Sequence, residues 1–236
     1  EECTLDESCV WYGSGQSDGW CETYYIENDC YSSYDSVDCA DFEYCEWKID
    51  EYGYAWENSQ NSNNSDYSWI DISLDNEIIN FTTNDDAELV DLEFDFLFYG
   101  EYYDQCIVNP NGWIGFGTDN SEWENEEIPS SDAPKPAVLA FWDDLNPVSN
   151  EMEDNMAGHI RYHSNSERLI VWYDDVVKWG HDDGPYNFQI VLFNDQRIDV
   201  NYRYMQGIRN SATTGIQNES GDIGLQVAFD ENYVHN

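Results

Sequence analysis

DLEFDFLFYG (91–100) decides the fold. Leu92, Phe94, Phe96 and Phe98 alternate with Asp91, Glu93 and Asp95, the period of two of a half-buried strand that stops at Tyr99-Gly100. Downstream, Ile107–Val108 and Trp113–Phe116 flank Asn109-Pro-Asn-Gly112, a turn signal. Val138 to Phe141 is a short apolar run, and strand-like segments follow at His159–His163 and Leu169–Val177. Phe188, Ile190 and Leu192 share one face. Asn194 to Arg197 turns the chain, and Ile198, Val200, Tyr202 and Tyr204 return on the same alternation, which predicts a hairpin. A second hairpin is predicted for Ala212–Gln217 and Ile223–Phe229 around Asn218 to Gly221. No window carries a helical stripe. Many short strands with closely spaced turns predict an all-β fold, an antiparallel, jelly-roll-like β-sandwich over 67–236.

Upstream the character changes. Residues 57–66, ENSQNSNNSD, read as a polar linker. Residues 1–56 hold six of the seven cysteines, Cys3, Cys9, Cys21, Cys30, Cys39 and Cys45, with gaps of 5, 11, 8, 8 and 5. This segment is poor in aliphatic residues, and small extracellular modules in that position are stapled by disulfides. Six cysteines allow 15 pairings, among which the sequence does not choose. Zinc would want CxxC pairs or nearby histidine, and the segment has neither. Cys106 stands apart, as a buried free thiol in a strand or as an intermolecular bridge.

Fifty acidic residues face eight Lys and Arg, for a net charge of −42 over 236 residues. Spread over the ~11,000 Å² expected of a folded monomer of this mass, that is one excess charge per ~260 Å². The resulting spacing of roughly 16 Å is about twice the Debye length at physiological salt, so folding is compatible with the charge. Nucleic-acid binding is excluded, because nothing here replaces phosphate counterions. Adhesion to an anionic membrane surface is disfavoured for the same reason. No apolar run reaches the ~18 residues of a spanning helix, which argues against membrane insertion. Aromatic residues make up 16% of the chain, enough for a core and contrary to disorder. The charge is uneven: residues 1–134 carry 34 acids and the single base Lys48, net −33, and the remainder carries net −9. Ionic strength and divalent cations are expected to act mainly on the N-terminal half. The opening Glu1-Glu2-Cys3 reads as a mature or trimmed product, and oxidised cysteines imply an extracellular or cell-surface location.

The run FLFYGEYYDQCIVNPNGWIGFG (96–117) resembles the opening of nidogen-like domains, and VLAFWDDLNP (138–147) is similar to their second segment. ERLIVWYDDV (167–176), YNFQIVLFNDQRIDVNY (186–202), ATTGIQNESGDIGLQVAF (212–229) and NYVHN (232–236) follow in the family's order. The resemblance covers about 88–236 and excludes the cysteine module. It implies a β-sandwich in adhesion, matrix or surface-layer proteins, with no catalytic residues. Cys106 departs from the small or polar residue usual at its position. The chain also stops where such domains continue into one more apolar strand, and an open sheet edge is expected to invite strand addition from a neighbour.

The chemistry-bearing motifs are few. Gly15-Gln-Ser17-Asp-Gly19 matches a nucleophile elbow in letters only, because it lies in a cysteine loop rather than between strand and helix. His159 and His163 share a strand face roughly 13 Å apart and cannot chelate one ion. Asp143 and Asp144 end an apolar strand. They can bind Ca²⁺ or hydrogen-bond the amides of their own loop. Asp174-Asp175 and Asp182-Asp183-Gly184 are weaker versions of the same choice. The N-terminal module carries Trp11, Trp20, Tyr24, Tyr25, Trp47 and Trp56, which serve as interface anchors or as a makeshift core.

Together these features predict a non-enzymatic extracellular structural protein that needs no cofactor, with Ca²⁺ as an optional ligand. Its expected partner is itself, as a head-to-tail subunit of a surface layer or filament, or another surface in cell adhesion. The alternatives are a carbohydrate-binding module that meets glycans through exposed Tyr and Trp, and an accessory domain of a larger secreted enzyme.

Overall fold

The computed structural model describes residues 49–59, 67–117, 122–148, 158–180 and 183–233, together with the backbone of three short strands nearer the N-terminus. Two compact units result. One comprises Glu1–Asp66 with Ile223–Leu225, the other Tyr67–Asp222 with Gln226–Asn236.

In the first unit, β1 (Cys9–Tyr12) pairs antiparallel with β2 (Trp20–Thr23) and parallel with β3 (Cys45–Glu46). The parallel register sets the Cys9 backbone opposite that of Cys45. The six cysteine side chains, and those of Trp11, Trp20, Tyr24, Tyr25 and Trp47, lie outside the described residues, as does the Gly15–Gly19 motif. Near the end of this unit Asp50 closes a tight turn, its Oδ1 accepting from the N–H groups of Tyr52, Gly53 and Tyr54 at 3.1, 2.8 and 2.8 Å. Trp56 is half-buried.

The second unit is a sandwich of two antiparallel sheets, with no helix among the described residues. The strands are β4 (Glu77–Ile79), β5 (Glu88–Phe98), β6 (Glu101–Asn109), β7 (Trp113–Gly115), β8 (Ala137–Trp142) and β9 (Leu145–Asn146). They continue as β10 (His159–Asn165), β11 (Arg168–Lys178), β12 (Tyr186–Phe193), β13 (Ile198–Met205), β14 (Thr213–Gln217) and β15 (Gly224–Phe229). One sheet runs β13-β12-β11-β10-β4, with β9 added to β11. The other runs β15-β14-β8-β7-β6-β5. The alternation of 91–100 is realised as β5: Leu92, Phe96 and Phe98 are buried, Phe94 is half-buried, and Asp91, Glu93 and Asp95 face water. A register irregularity against β6 between Asp91 and Phe96 falls where Phe94 sits.

Aromatic rings fill the space between the sheets. Tyr173 of β11 stacks on Phe188 of β12 at 4.4 Å, and Phe141 of β8 meets Tyr186 at 4.9 Å. Phe96, Phe98 and Phe116 form a second knot, with centroids 4.9–6.2 Å apart. Each buried ring removes on the order of 150–250 Å² from water, so the aromatics do the work that aliphatic side chains do in ordinary sandwiches. Cross-sheet hydrogen bonds fix the stacking. Tyr173 donates to the carbonyls of Asn109 and Trp113 at 2.7 and 3.1 Å, and Tyr202 donates to that of Ala140 at 2.6 Å.

Both sheets are also covered on their outer faces, which period-two reading does not reveal. The segment 67–76 lies across β11 and β12. There Ile72, Ile170, Trp172 and Val191 form an outer cluster with Trp69 packed edge-on against Trp172. The buried Gln189 explains how: its amide accepts from the N–H of Ile70 at 2.9 Å and donates to the carbonyl of the same residue at 3.0 Å, pairing as a strand would. On the other sheet Ile128 and Ala133 of the segment 122–136 pack on Trp113, Leu139 and Trp142. Hence β8 and nearly all of β12 are buried on both faces.

Candidate functional site

Asn109-Pro-Asn-Gly112 is more than a surface turn. All four residues are buried, and they organise one end of the sandwich. Asn109 Oδ1 accepts from the N–H of Asn111 at 2.8 Å, the Asx geometry that closes the turn. Asn111 then holds the segment after β8: its Oδ1 accepts from Leu145 N–H at 2.9 Å and its carbonyl from Asp143 N–H at 3.2 Å. Gly112 is required. Its φ is +84°, and a Cβ there would lie 1.9 Å from the carbonyl oxygen of Phe141. The Gly112 carbonyl accepts from both Ala140 and Phe141.

The turn fixes Asp143 and Asp144, which meet different surroundings. Asp143 is buried, and each of its oxygens is used. Oδ2 receives Lys178 Nζ at 2.8 Å and Ser211 Oγ at 2.7 Å, and Oδ1 receives the N–H of Asp144 at 2.8 Å. Asp143 is thus a loop cap and ion-pair partner. Asp144 is half-buried, and its Oδ1 is buried without a hydrogen-bond partner. Desolvation, with the negative charges of Asp85 and Asp143, pushes its carboxyl up to about 6. Lys178 and the Asn84 amide offset this only in part.

Asp144 lines a cleft of about 750 Å³ together with Trp123, Trp179, Asn84, Asp85 and Asn146. Both tryptophans are about half exposed, at 47% and 49%. Their backbones are well anchored. The carbonyl of Glu122, next to Trp123, accepts from two buried indoles, Trp113 Nε1 at 3.0 Å and Trp142 Nε1 at 3.1 Å. Trp179 N–H donates to the Asp144 carbonyl at 2.9 Å, just beyond the pairing of β9 with the end of β11. Large apolar surface held open to water by polar bonds behind it is the usual layout of a contact site.

The family model described as NIDO related matches residues 59–234. The chain belongs to the NIDO-related family. The match starts upstream of the motif-bearing span and takes in the segment 67–76 that covers the outer face of one sheet. No curated protein and no solved structure matches the chain.

The remaining acidic pairs of this NIDO-related domain hold structure together. Asp174 pairs with Arg161 at 2.8 Å, and Asp175, in a left-handed conformation at φ 60°, accepts from Asn187 at 2.7 Å and from Tyr204 at the irregularity in β11. Asp183 Oδ2 accepts from Tyr186 at 3.2 Å and from Ile208 N–H at 2.9 Å, while Asp182 lies outside the described residues. His159 is exposed, and His163 lies 3.6 Å from Asp75. No group of three or more His, Cys, Asp or Glu that could hold a metal occurs among the described residues. Cys106 is a free thiol, buried on β6, and burial pushes it up to about 12. A sulfur so placed packs as a small apolar group and offers no exposed atom for a bridge between subunits.

Trp123 and Trp179 carried no sequence signal. Each lies outside any alternating run, and its exposure follows from anchors many residues away. The usable hint was the pairing of Trp142 with Asp143-Asp144 at a strand end, which marks where a loop is pinned.

Proposed function

We propose that this chain is a non-enzymatic adhesive module of an extracellular structure, and that it meets its partner through the cleft between Trp123 and Trp179. The observation that carries this reading is the half-exposed tryptophan pair sharing a cleft with Asp144 and its unpartnered oxygen, all mounted on pinned backbone. Preorganised aromatic anchors are the pattern of residues that dominate binding energy. Membership of the NIDO-related family supports an extracellular location, since nidogen-like domains occur in extracellular proteins.

Self-association by strand addition has less support at the β5 edge. Glu88, Asp91, Glu93 and Asp95 are exposed along it, and acidic edge residues discourage pairing with another chain of like charge. A carbohydrate ligand is the second reading, favoured by the same tryptophans, which offer faces for sugar rings. It replaces the N-terminal aromatics with Trp123 and Trp179.

The test compares the full chain with its Trp123→Ala/Trp179→Ala variant against a panel of basic and acidic extracellular proteins and a glycan array. The expected result is saturable, reversible protein binding that leaves the partner chemically unchanged and is lost in the variant. Turnover of a partner, or binding indifferent to both tryptophans, would overturn the proposal, and saturable glycan binding lost in the variant would favour the carbohydrate reading.

A further inference from the structure

We infer that the Trp123–Trp179 cleft takes an arginine side chain presented by a basic partner protein. This rests on the adhesive reading above and names the chemistry of that same site.

Three features of the cleft select the ligand. Its charged groups are acceptors only: Asp85 is exposed, and Asp144 Oδ1 is buried with nothing donating to it. Asp144 is only half-buried and lines the cleft, so a cationic donor that enters meets its carboxylate group there. Desolvation chiefly raises the Asp144 carboxyl, the charges of Asp85 and Asp143 add to it, and a ligand bringing positive charge offsets this further than Lys178 does. Lys178 does not serve, because its ammonium is engaged by Asp143 and Ser211. The lining, finally, includes two indoles. Tryptophan is the strongest cation–π partner, and a guanidinium combines a planar face for the ring with a fork of N–H donors for carboxylates.

The competing ligands fit less well. Ca²⁺ takes six to eight oxygens, and besides the two carboxylates the lining offers only Asn84, whose amide bonds Asp144, and Asn146, whose Oδ1 already accepts from Val148 N–H. A sugar stacks on tryptophan but leaves the carboxylate repulsion in place. An ammonium satisfies the charge but makes no use of two planar rings.

A second copy of this chain is a poor donor of the arginine. Each copy carries −42, and most of its cations are already engaged. Arg161 pairs with Asp174, Arg168 with Glu167 and Arg197 with Asp199, while Lys135 donates to the Ser131 carbonyl and Arg203 lies over Trp69. The source is therefore a different, basic protein, steered in by the field of a strongly acidic domain. The cleft, at about 750 Å³, also leaves room for the backbone that carries the side chain.

The groups that set the pH response are Asp144 and those facing it: Asp85 from the loop before β5, Asp143 and Lys178 from the ion pair, and the neutral amide of Asn84. Protonation of Asp144 removes half of the carboxylate pair, so affinity falls as pH drops through about 6.

The experiment uses the full ¹⁵N-labelled chain titrated with the blocked peptide acetyl-Gly-Arg-Gly-amide. Controls are the lysine peptide and the citrulline peptide, a neutral near-isostere of arginine. Indole N–H signals are assigned with Trp123→Phe and Trp179→Phe. The expected result is saturable shifts concentrated on these two indoles, with the citrulline peptide at least about tenfold weaker, the loss of one charge-assisted contact. Asp144→Asn and Asp85→Asn, both at water-accessible positions, are each expected to weaken arginine binding about threefold to tenfold while leaving the remaining spectrum in place. Equal binding of citrulline, tighter binding of lysine, or shifts elsewhere on the protein would overturn the inference. If the arginine peptide fails while another protein or a glycan binds through the two tryptophans, the inference falls and the cleft keeps its role. If every ligand found ignores the tryptophans, the adhesive reading falls as well.

Discussion

Asp143 and Asp144 are consecutive residues at the end of one strand, yet they belong to two regions built on opposite terms. Around Asp143 every polar group has a partner: Lys178 and Ser211 take the carboxylate, Asn111 takes the backbone, and Tyr173 takes the carbonyls of Asn109 and Trp113. Around Asp144 one oxygen is orphaned, two acids face each other and two large rings stand half in water. The first arrangement stabilises the sandwich. The second costs stability, and under the proposal above a cationic ligand offsets part of that cost.

The largest effect is expected in the buried region. Gly112→Ala forces a side chain into the Phe141 carbonyl at a backbone angle that L-residues avoid, and a loss on the order of 4 kcal/mol is expected from clash plus strain. Urea unfolding measures it, and a loss under about 1 kcal/mol would show that the turn yields and is not a fixed hub.

Next is Lys178→Met, which keeps the apolar stem and removes the charge. Asp143 is then left buried with only Ser211 and a backbone N–H, and a loss of about 3 kcal/mol is expected, in line with other broken buried pairs. A neutral outcome would mean that water reaches Asp143, and the contrast between the two aspartates would weaken.

Asp144→Asn is expected to act in the opposite direction and more weakly. The folded protein holds the Asp144 proton up to about pH 6, against 3.8 as the ordinary value. Its ionised form therefore costs stability above about pH 6, and the cost fades as pH falls toward the unfolded value. The variant should be more stable than the parent at neutral pH, by about 1 kcal/mol once solvent screening at the open cleft is allowed for. The gain should vanish at acid pH, which parallel urea titrations of the two proteins would show. A loss of stability at neutral pH would place Asp144 among the supporting residues.

Much of the sandwich was legible because it is written in alternation and in turn signals. Leu92, Phe96 and Phe98 follow the period of two in β5, and the strands at 186–205 and 213–229 lie where apolar runs flank turn signals, although β12 is buried on both faces. The outer layers were not legible, because segments 67–76 and 122–136 have no period of their own. Gln189, off the face shared by Phe188, Ile190 and Leu192, is buried beneath Ile70. The 109–112 turn was found as a turn but not as a hub, since the hydrogen bonds of Asn111 reach residues 32 and 34 positions away. At the site, Asp143 and Asp144 were found together, and only the fold separates a capped carboxylate from an open one. For the N-terminal module the expectation stands on composition: Cys3 to Cys45 should form three disulfides among themselves, and unreduced peptide mapping should find no thiol there.

The most direct measurement is the titration of the Asp144 side-chain carboxyl by carbon-detected NMR, in the free protein and with the arginine peptide bound. The expected midpoint is about 6 in the free protein, moving downward on binding because a bound cation favours the ionised form. A midpoint near the ordinary 3.8 that the peptide leaves unmoved would contradict the claim that the cleft holds uncompensated charge for a cationic partner.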